Sequence, residues 1–197
     1  MRLLARVRAL LNSLDAAALA PWRAAWPAAP PDPPSVRAVA PHAGALPVLA
    51  WLPAAARTAP AFSAPVCAEL LAVAARLAWH RTYTQADVSS GAIEALFLER
   101  YGWCELLRGR ALACGFLLLG PGVHYPAHHH QPEELYLPLS GTAEWQQGDG
   151  VWRERPAGAL IHHAALEPHA MRTGSDPLLA LYLWRGSDLA THARLDR

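Results

Sequence analysis

The sequence lacks the features that mark several large classes of protein. Only 17% of the 197 residues are charged and the formal net charge is +1, so no basic surface that could neutralise nucleic-acid phosphates is predicted. No apolar run approaches the roughly 18 residues that a membrane-spanning helix needs. G-x-G-x-x-G, P-loop and G-x-S-x-G motifs do not occur. We therefore expect no nucleic acid, membrane or nucleotide partner.

Cysteine is also scarce. Cys67, Cys104 and Cys114 are an odd number without C-x-x-C spacing, which argues against a disulfide framework and a zinc ribbon. Arginines at positions 2, 6 and 8 interrupt the apolar N-terminus, so the uninterrupted apolar segment of a secretory signal is missing. These observations predict a protein of a reducing compartment, and we expect a cytoplasmic location.

Apolar spacing and proline content divide the chain into an N-terminal helical part and a C-terminal β part. In the first segment, leucines at positions 3, 10, 11 and 14 lie near one face of an amphipathic helix. A proline-rich stretch then excludes both helix and central strand. The predicted segments are an amphipathic helix over 1–26, a proline-rich linker or loop over 27–62, a helical subdomain over 63–102 and a β-barrel over 103–197.

Within the helical subdomain, the 3.6-residue period predicts a helix over 66–83 and another from about Gly91 to Tyr101. From Trp103 onward the pattern changes to short apolar or alternating runs, such as LACGFLLLG, ELYLPLSG and LLALYLWRG. Glycine and proline separate these runs at short intervals. This pattern is typical of a small antiparallel sandwich or barrel, so the predicted fold is mainly β with an N-terminal helical subdomain.

The segment YPAHHHQPEELYLPLSG concentrates ionisable side chains at the start of a predicted strand. Residues two apart in a strand face the same way, so His128 and His130 can both point into a barrel while His129 points out. Glu134 and Tyr136 keep the same parity beyond a proline. Two imidazoles and a carboxylate on one inner surface are suited to a divalent first-row metal such as Zn, Fe, Mn, Co or Ni.

A simpler interpretation is that these histidines belong to a surface loop and that the glutamates form a solvated edge. We prefer the inward site because His-x-His is followed four residues later by Glu in a β-rich context, with further histidines downstream.

The spacing G-x5-H-x-H-x3-E-x6-G over residues 122–141 resembles the first cupin motif without a mismatch. Gly150, Pro156 and Gly158 resemble the opening of the second cupin motif. Ile161 then stands where a histidine is expected. PHAMRT resembles the end of that motif, which makes His169 the expected ligand, with His162 and His163 as competing candidates.

The phrases WHRTYTQADV, LERYGWCELL, PHAMRT and PLLALYLWRG, with the histidine segment, resemble the cupin lyases that cleave dimethylsulfoniopropionate (DMSP), in particular the DddQ type. The resemblance extends from about Trp79 to Leu189. It implies metal ligation by His130, Glu134 and His169 with His128 nearby, Tyr136 as the catalytic residue and Tyr125, also a catalytic candidate, lining the pocket.

The resemblance implies a small zwitterionic substrate that is split into dimethyl sulfide and acrylate. Removal of the proton next to the carboxylate needs a base, for which Tyr136 is the candidate, and a metal that binds the carboxylate. The sulfonium needs electron-rich aromatic faces. The candidates are Tyr125, Trp103, Trp145, Tyr182 and Trp184, although ordinary core packing explains each tryptophan equally well.

Two alternatives stay open. Another cupin metalloenzyme, a dioxygenase or isomerase, could share the metal ligands but act on a different small carboxylate. A non-catalytic cupin could bind a small ligand. Arg172 and Arg185 could receive a substrate carboxylate, but a solvated face is the preferred interpretation. Sequence also leaves the metal and the oligomeric state open, with a homodimer as one candidate.

Overall fold

The computed structural model describes residues 2–28 and 46–196, and most of its helices precede the strands. The α-helices are α1 (Arg2–Ser13), α2 (Ala20–Ala24), α3 (Leu52–Arg57), α4 (Ala64–Val73), α5 (Gln85–Ser89) and α6 (Ala95–Arg100). Short 3₁₀ turns lie at Ala17–Leu19, Pro47–Trp51 and Ala74–Arg76. Among the described helices, none is long and apolar enough to cross a membrane.

The helices are shorter than the sequence pattern predicts. The single helix expected over 1–26 ends at Ser13, and an extended residue, Ala16, precedes the next helical turns. The linker expected over 27–62 contains the helical residues 47–57, while its portion at 29–45 lies outside the described residues. Local apolar periodicity identified helical segments but not where tertiary packing ends them.

The helix expected over 66–83 and the one expected over 91–101 also end early. The first stops at Val73, because Trp79 and His80 leave the helical path and pair with the second strand of the barrel. The second is confined to Ala95–Arg100, and the following strand starts at Tyr101. Pairing with a distant strand overrides local helix propensity here.

Eleven strands form two antiparallel sheets in the described residues. They are β1 (Trp79–His80), β2 (Tyr101–Arg108), β3 (Leu112–Leu119), β4 (His124–His129), β5 (Glu133–Ser140), β6 (Ala143–Gln147), β7 (Arg153–Arg155), β8 (Ile161–His163), β9 (His169–Thr173), β10 (Leu178–Arg185) and β11 (Arg194–Leu195). The six-stranded sheet has the order β1-β2-β3-β10-β5-β8, and the five-stranded sheet has the order β11-β4-β9-β6-β7.

Two facing antiparallel sheets with long-range pairing between early and late strands are the arrangement of a cupin barrel. The prediction of a mainly β cupin with an N-terminal helical region is therefore confirmed. The sheet begins earlier than the expected boundary at residue 103, because β2 starts at Tyr101 and β1 adds Trp79–His80. The four-part division of the chain otherwise stays a prediction.

The helical region covers one face of the six-stranded sheet. Leucines of α1, α3 and α4 join one buried apolar cluster with the leucines of β5 and β10. Polar contacts fix the same junction, since the Ser63 hydroxyl donates to the Leu139 carbonyl at 2.5 Å. The opposite face of this sheet is directed toward the five-stranded sheet and contributes to a second, aromatic-rich cluster.

Candidate active site

Strands β4 and β5 place the histidine-glutamate segment inside the barrel. His128 and His130 are 1% and 3% exposed, and Glu134 is 1% exposed. His129, between the two histidines, instead pairs with Asp196 through its Nδ1 at 2.5 Å. The predicted alternation of inward and outward side chains is confirmed by this burial pattern.

Two of these side chains, His130 and Glu134, meet a third, His169, from the facing sheet. His130 Nε2 lies 2.8 Å from Glu134 Oε2, and His169 Nε2 lies 3.3 Å from the same oxygen. His169 comes from β9 in the facing sheet. The potential ligand atoms of His130, Glu134 and His169 all lie within 4.8 Å of one another, which makes the three residues a candidate metal site.

The orientation of the imidazoles fits a metal ligand set. His130 Nδ1 is bonded to the Pro132 carbonyl at 2.8 Å, and His169 Nδ1 is bonded to the Glu167 carbonyl at 2.9 Å. Because a carbonyl only accepts, each Nδ1 carries the proton and each Nε2 is left with its lone pair. His169 Nε2 is buried with no hydrogen-bond partner in the described structure. The residues present therefore fit a divalent cation.

The electrostatics of the protein alone show how strongly the cluster is coupled. Burial raises the pKa of Glu134, but the charge and hydrogen bond of His130 outweigh burial and hold this pKa well below its usual value. Burial lowers the pKa of His130, and the Glu134 carboxylate reverses the effect and raises it. The carboxylate thus stays ionised in the interior, as a metal ligand must be.

The other candidate histidines lie around this cluster. His128 is beside it, with its ring 4.2 Å from that of His169 and its Nδ1 bonded to the Pro126 carbonyl. His162 points outward and contacts Glu133 at 3.1 Å. His163 is fully buried next to His169, and burial lowers its pKa to about 2. Of the three candidates for the second-motif ligand, only His169 belongs to the cluster.

A cavity of about 540 Å³, including solvent at its mouth, opens beside the cluster. Six aromatic side chains give it an electron-rich wall. Its lining consists of Thr82, Tyr101, Trp103, Arg108, Leu117, Tyr125, His128, His130, Glu134, Tyr136, Tyr182, Trp184, Leu189, Ala190, His192 and Ala193.

The two tyrosines predicted to be catalytic differ in their contacts. Tyr136 lines the cavity next to Glu134, and burial together with that carboxylate raises its pKa well above the usual value. Tyr125 lies against His128 with parallel rings 3.8 Å apart, and its hydroxyl is 3.0 Å from that of Tyr83. Tyr125 is thus committed to neighbours on both its ring and its hydroxyl.

Besides Tyr125, the four other aromatic residues predicted to bind substrate separate into two groups. Trp103, Tyr182 and Trp184 line the cavity. Trp184 also donates from Nε1 to Glu134 Oε1 at 2.7 Å, so it orients the candidate ligand. Trp145 is outside the cavity lining and packs against Tyr136 with ring centroids 4.9 Å apart, so its contact with substrate stays a prediction without support from the cavity. Core packing, the alternative interpretation given for each tryptophan, describes the contact of Trp145 with Tyr136.

The position of Tyr182 depends on a glycine in the neighbouring strand. Gly115 of β3 is paired with Tyr182, and a Cβ at Gly115 would lie 2.7 Å from the tyrosine hydroxyl and 2.0 Å from the Cys104 carbonyl. The absence of a side chain therefore lets the ring cross over β3. Arg172 and Arg185 are outside the cavity lining, paired with Glu144 and Glu133.

Several lining residues were not predicted. Tyr101 lies two residues before Trp103 in β2, so strand parity could have identified it. Four residues that follow the last long strand also line the cavity: Leu189, Ala190, His192 and Ala193. The Leu189 carbonyl accepts a hydrogen bond from Arg108. This segment has no periodic pattern, so its position had no sequence signal.

The fold and the buried cluster together define a cupin with a candidate metal site. The family model for dimethylsulfoniopropionate lyase matches residues 33–180. The chain therefore belongs to the dimethylsulfoniopropionate lyase family.

Individual relatives agree with this assignment. The chain is 34% identical over 128 residues to the dimethylsulfoniopropionate lyase DddQ of Ruegeria pomeroyi, a match that covers 61% of this chain and 60% of the relative. It is 31% identical over 127 residues to the putative dimethylsulfoniopropionate lyase DddL of Cereibacter sphaeroides, covering 60% and 50%. The aligned region is thus less than two thirds of either relative.

Solved structures match over almost the whole chain. A chain from the crystal structures of the DMSP lyases RdDddP and RnDddQII has a TM-score of 0.77 and 32% identity, covering 99% of this chain and 96% of that one. DMSP lyase DddQ from Ruegeria pomeroyi has a TM-score of 0.80 and 28% identity, covering 98% and 94%.

Proposed function

We propose that the protein is a metal-dependent lyase that cleaves dimethylsulfoniopropionate to dimethyl sulfide and acrylate. The observation that carries this proposal is the meeting of His130, Glu134 and His169 beside a cavity whose lining includes His130, Glu134 and Tyr136. Family membership gives the substrate class, and the relatives named as DMSP lyases support it.

The reaction is an α,β-elimination. A proton is removed from the carbon next to the carboxylate, and the electron pair of that C–H bond forms the carbon–carbon double bond. The carbon–sulfur bond breaks, and dimethyl sulfide leaves with the electron pair of that bond. A divalent cation such as Zn, Fe, Mn, Co or Ni, held by His130, Glu134 and His169, would act as a Lewis acid that stabilises enolate-like charge and favours a nearby phenolate.

Tyr136 is the proposed base, and its Oη would receive the proton. It is in strand β5 two residues beyond Glu134, so both side chains face the cavity. Burial alone raises the pKa of Tyr136, so a phenolate there requires a compensating positive charge. This requirement links the base to the metal site and explains why one strand carries both.

The aromatic wall would hold the sulfonium. The sulfonium carries two methyl groups and the propionate chain and has no hydrogen-bond donor, so it is held best by the faces of aromatic rings. Trp103 and Tyr182 line the cavity, and the structure shows no hydrogen bond from either residue to the described side chains of His130, Glu134 or His169. We assign them to the sulfonium end, and we assign Tyr125 and Trp184 to support of His128 and Glu134.

The decisive experiment is to incubate purified, metal-analysed protein with dimethylsulfoniopropionate and to measure dimethyl sulfide and acrylate. We expect equal amounts of the two products and no consumption of oxygen. Absence of both products with Zn, Fe, Mn, Co and Ni would overturn the proposal. Oxygen consumption with iron on another small carboxylate would favour a cupin dioxygenase instead.

A matched pair of variants tests the base. Tyr136→Phe should keep metal content and melting temperature but lose nearly all turnover. Tyr182→Phe removes a hydroxyl from the strand-paired tyrosine in the same cavity, and kcat should stay within a few-fold because the ring is retained. Similar rates in the two variants would remove Tyr136 from the base role.

The identity of the metal, a homodimeric assembly and a cytoplasmic location stay predictions. Metal analysis of protein purified without added metal and light scattering test the first two directly.

A further inference from the structure

Each of the three inward histidines around the candidate metal site has two restraints. One is the backbone carbonyl that accepts from its Nδ1, two residues away in the chain. The other is a flat ring against its face. By ring-centroid distance, the pairs are Tyr125 on His128 at 3.8 Å, Trp184 on His130 at 4.5 Å and His163 on His169 at 4.0 Å.

His163 differs from the other two supporting rings. Tyr125 and Trp184 line the cavity and use their polar atoms, whereas His163 is fully buried and outside the lining. Neither ring nitrogen of His163 has a hydrogen-bond partner in the described part of the chain. Buried imidazole nitrogens without partners are costly, so the site retains a side chain that folding alone does not favour.

The ring planes argue against His163 as a ligand in the same coordination set. The planes of His163 and His169 are 12° apart at a centroid separation of 4.0 Å, so the rings are stacked nearly face to face. The lone pairs of stacked imidazoles lie in parallel planes, and an ion in the plane of one ring lies out of the plane of the other. Consistently, the cluster of converging ligand atoms contains His169 and not His163.

The hydrogen bond from His169 Nδ1 to the Glu167 carbonyl oxygen does not fix the ring completely. The ring can still rotate about the line that joins the nitrogen and the oxygen. A flat group on the ring face removes that tilt. His163 is well placed to do so, since it is paired with Glu134 across β5 and β8 and therefore faces the interior beside the cluster.

We propose that His163 is a positioning residue of the metal site, whose flat ring holds the plane of His169 so that Nε2 is aimed at the ion. This proposal rests on the proposed metal binding. It implies that the shape of the ring matters and that its nitrogens do not.

The test compares His163→Phe, which keeps a flat ring, with His163→Leu, which keeps apolar volume without one. His162→Leu, on the outward neighbour, is the control. Affinity for Zn²⁺ is measured by competition with a chromophoric chelator, and the geometry is followed by the visible absorption of the Co²⁺-loaded proteins. We expect His163→Leu to weaken Zn²⁺ affinity about 10-fold or more and to alter the Co²⁺ bands. The Zn²⁺ affinity of His163→Phe should stay within about 3-fold of that of wild type. Without metal, the melting temperature of His163→Leu should be no lower than that of wild type.

Loss of metal affinity in a folded His163→Phe protein would show that the nitrogens are needed and would overturn the proposal. Wild-type affinity in His163→Leu would overturn it as well. Should the larger phenylalanine ring prevent folding, nitrogen-15 NMR spectra of the histidines in the wild-type protein show whether His163 coordinates the metal. On addition of Zn²⁺, Nε2 of His130 and His169 should shift while both nitrogens of His163 keep their metal-free shifts. Coordination shifts on His163 would contradict the positioning role.

Wild-type protein is measured first in every assay. Wild type that binds none of the five metals overturns the proposed function together with this inference. Tight binding by wild type with unchanged affinity in His163→Leu removes this inference alone.

Discussion

The two faces of the six-stranded sheet are built from the same strands but from different kinds of side chain. Along β5, Leu135 and Leu137 pack into the aliphatic cluster beneath the helices, whereas Glu134 and Tyr136 face the interior between the sheets. Successive residues of β5 therefore contribute alternately to the packing beneath the helices and to the candidate site between the sheets. We call the aliphatic cluster the outer core and the aromatic cluster between the sheets the inner core.

Reactive residue types are sorted in the same way. The three cysteines all belong to the outer core, where burial raises the pKa of each thiol, to about 11 for Cys67. Within residues 2–28 and 46–196, the buried histidines all lie between the sheets. Burial therefore disfavours thiolates in the outer core, while the buried imidazoles lie around the candidate metal site. If this division is real, substitutions on the two faces should have separable effects.

The largest effect is expected from Glu134→Gln in the inner core. The amide loses the charge that couples to His130 and would hold a cation, so bound metal should fall to about a tenth or less and kcat/KM by about 10³-fold, or about 4 kcal/mol of barrier. Metal analysis and steady-state kinetics measure both quantities.

The matched control is Glu133→Gln, one residue earlier and facing outward against Arg185 and His162. Its kcat/KM should remain within a few-fold of wild type. Equal losses in the two variants would mean that the faces are not independent.

The next effect belongs to the outer core. Leu137→Ala removes a fully buried side chain, so the free energy of unfolding should fall by about 3 kcal/mol. Urea unfolding of the metal-free protein measures the loss. Metal affinity and kcat should be unchanged at a temperature where the variant is folded, and a metal defect comparable with that of Glu134→Gln would break the comparison.

Removal of the metal should have a smaller effect on stability. A cation that binds only the folded state adds about 2.7 kcal/mol at a free concentration 100 times its Kd. A chelator should therefore lower the melting temperature, and the shift should be the same in wild type and Leu137→Ala because the two sites are on opposite faces. Calorimetry with and without Zn²⁺ tests this additivity; a shift that disappears in the variant would contradict it.

Much of this division could be predicted from sequence, because strand parity depends only on counting residues. The inward direction of His128 and His130, with His129 outward, followed from spacing alone. What could not be predicted depends on which strands become neighbours. Parity did not predict the depth of Trp145, the contact between His163 and His169, or the contribution of residues 189–193 to the cavity lining. Those positions are set by long-range pairing and packing, which a local pattern does not encode.

The smallest expected effect concerns the turn between β8 and β9, on the inner side. Leu166 has φ of 61° and is 52% exposed, so it adopts a left-handed conformation with little packing to compensate. Its amide donates to the His130 carbonyl at 2.9 Å, and the next residue, Glu167, accepts from His169. This turn therefore connects the two candidate ligand histidines, His130 and His169.

Leu166→Gly should stabilise the protein slightly. A left-handed conformation costs a residue with a side chain about 1–2 kcal/mol, so glycine relieves that cost in the folded state. Glycine also has greater conformational freedom in the unfolded chain, which offsets roughly half of this stabilisation. The net gain of about 0.5 kcal/mol should raise the melting temperature by about 1–2 °C. The control Ala165→Gly, at an exposed neighbour without positive φ, should lower it by a similar amount. Destabilisation in both variants would mean that the Leu166 conformation is not strained, and that this side of the barrel does not trade stability for the placement of its histidines.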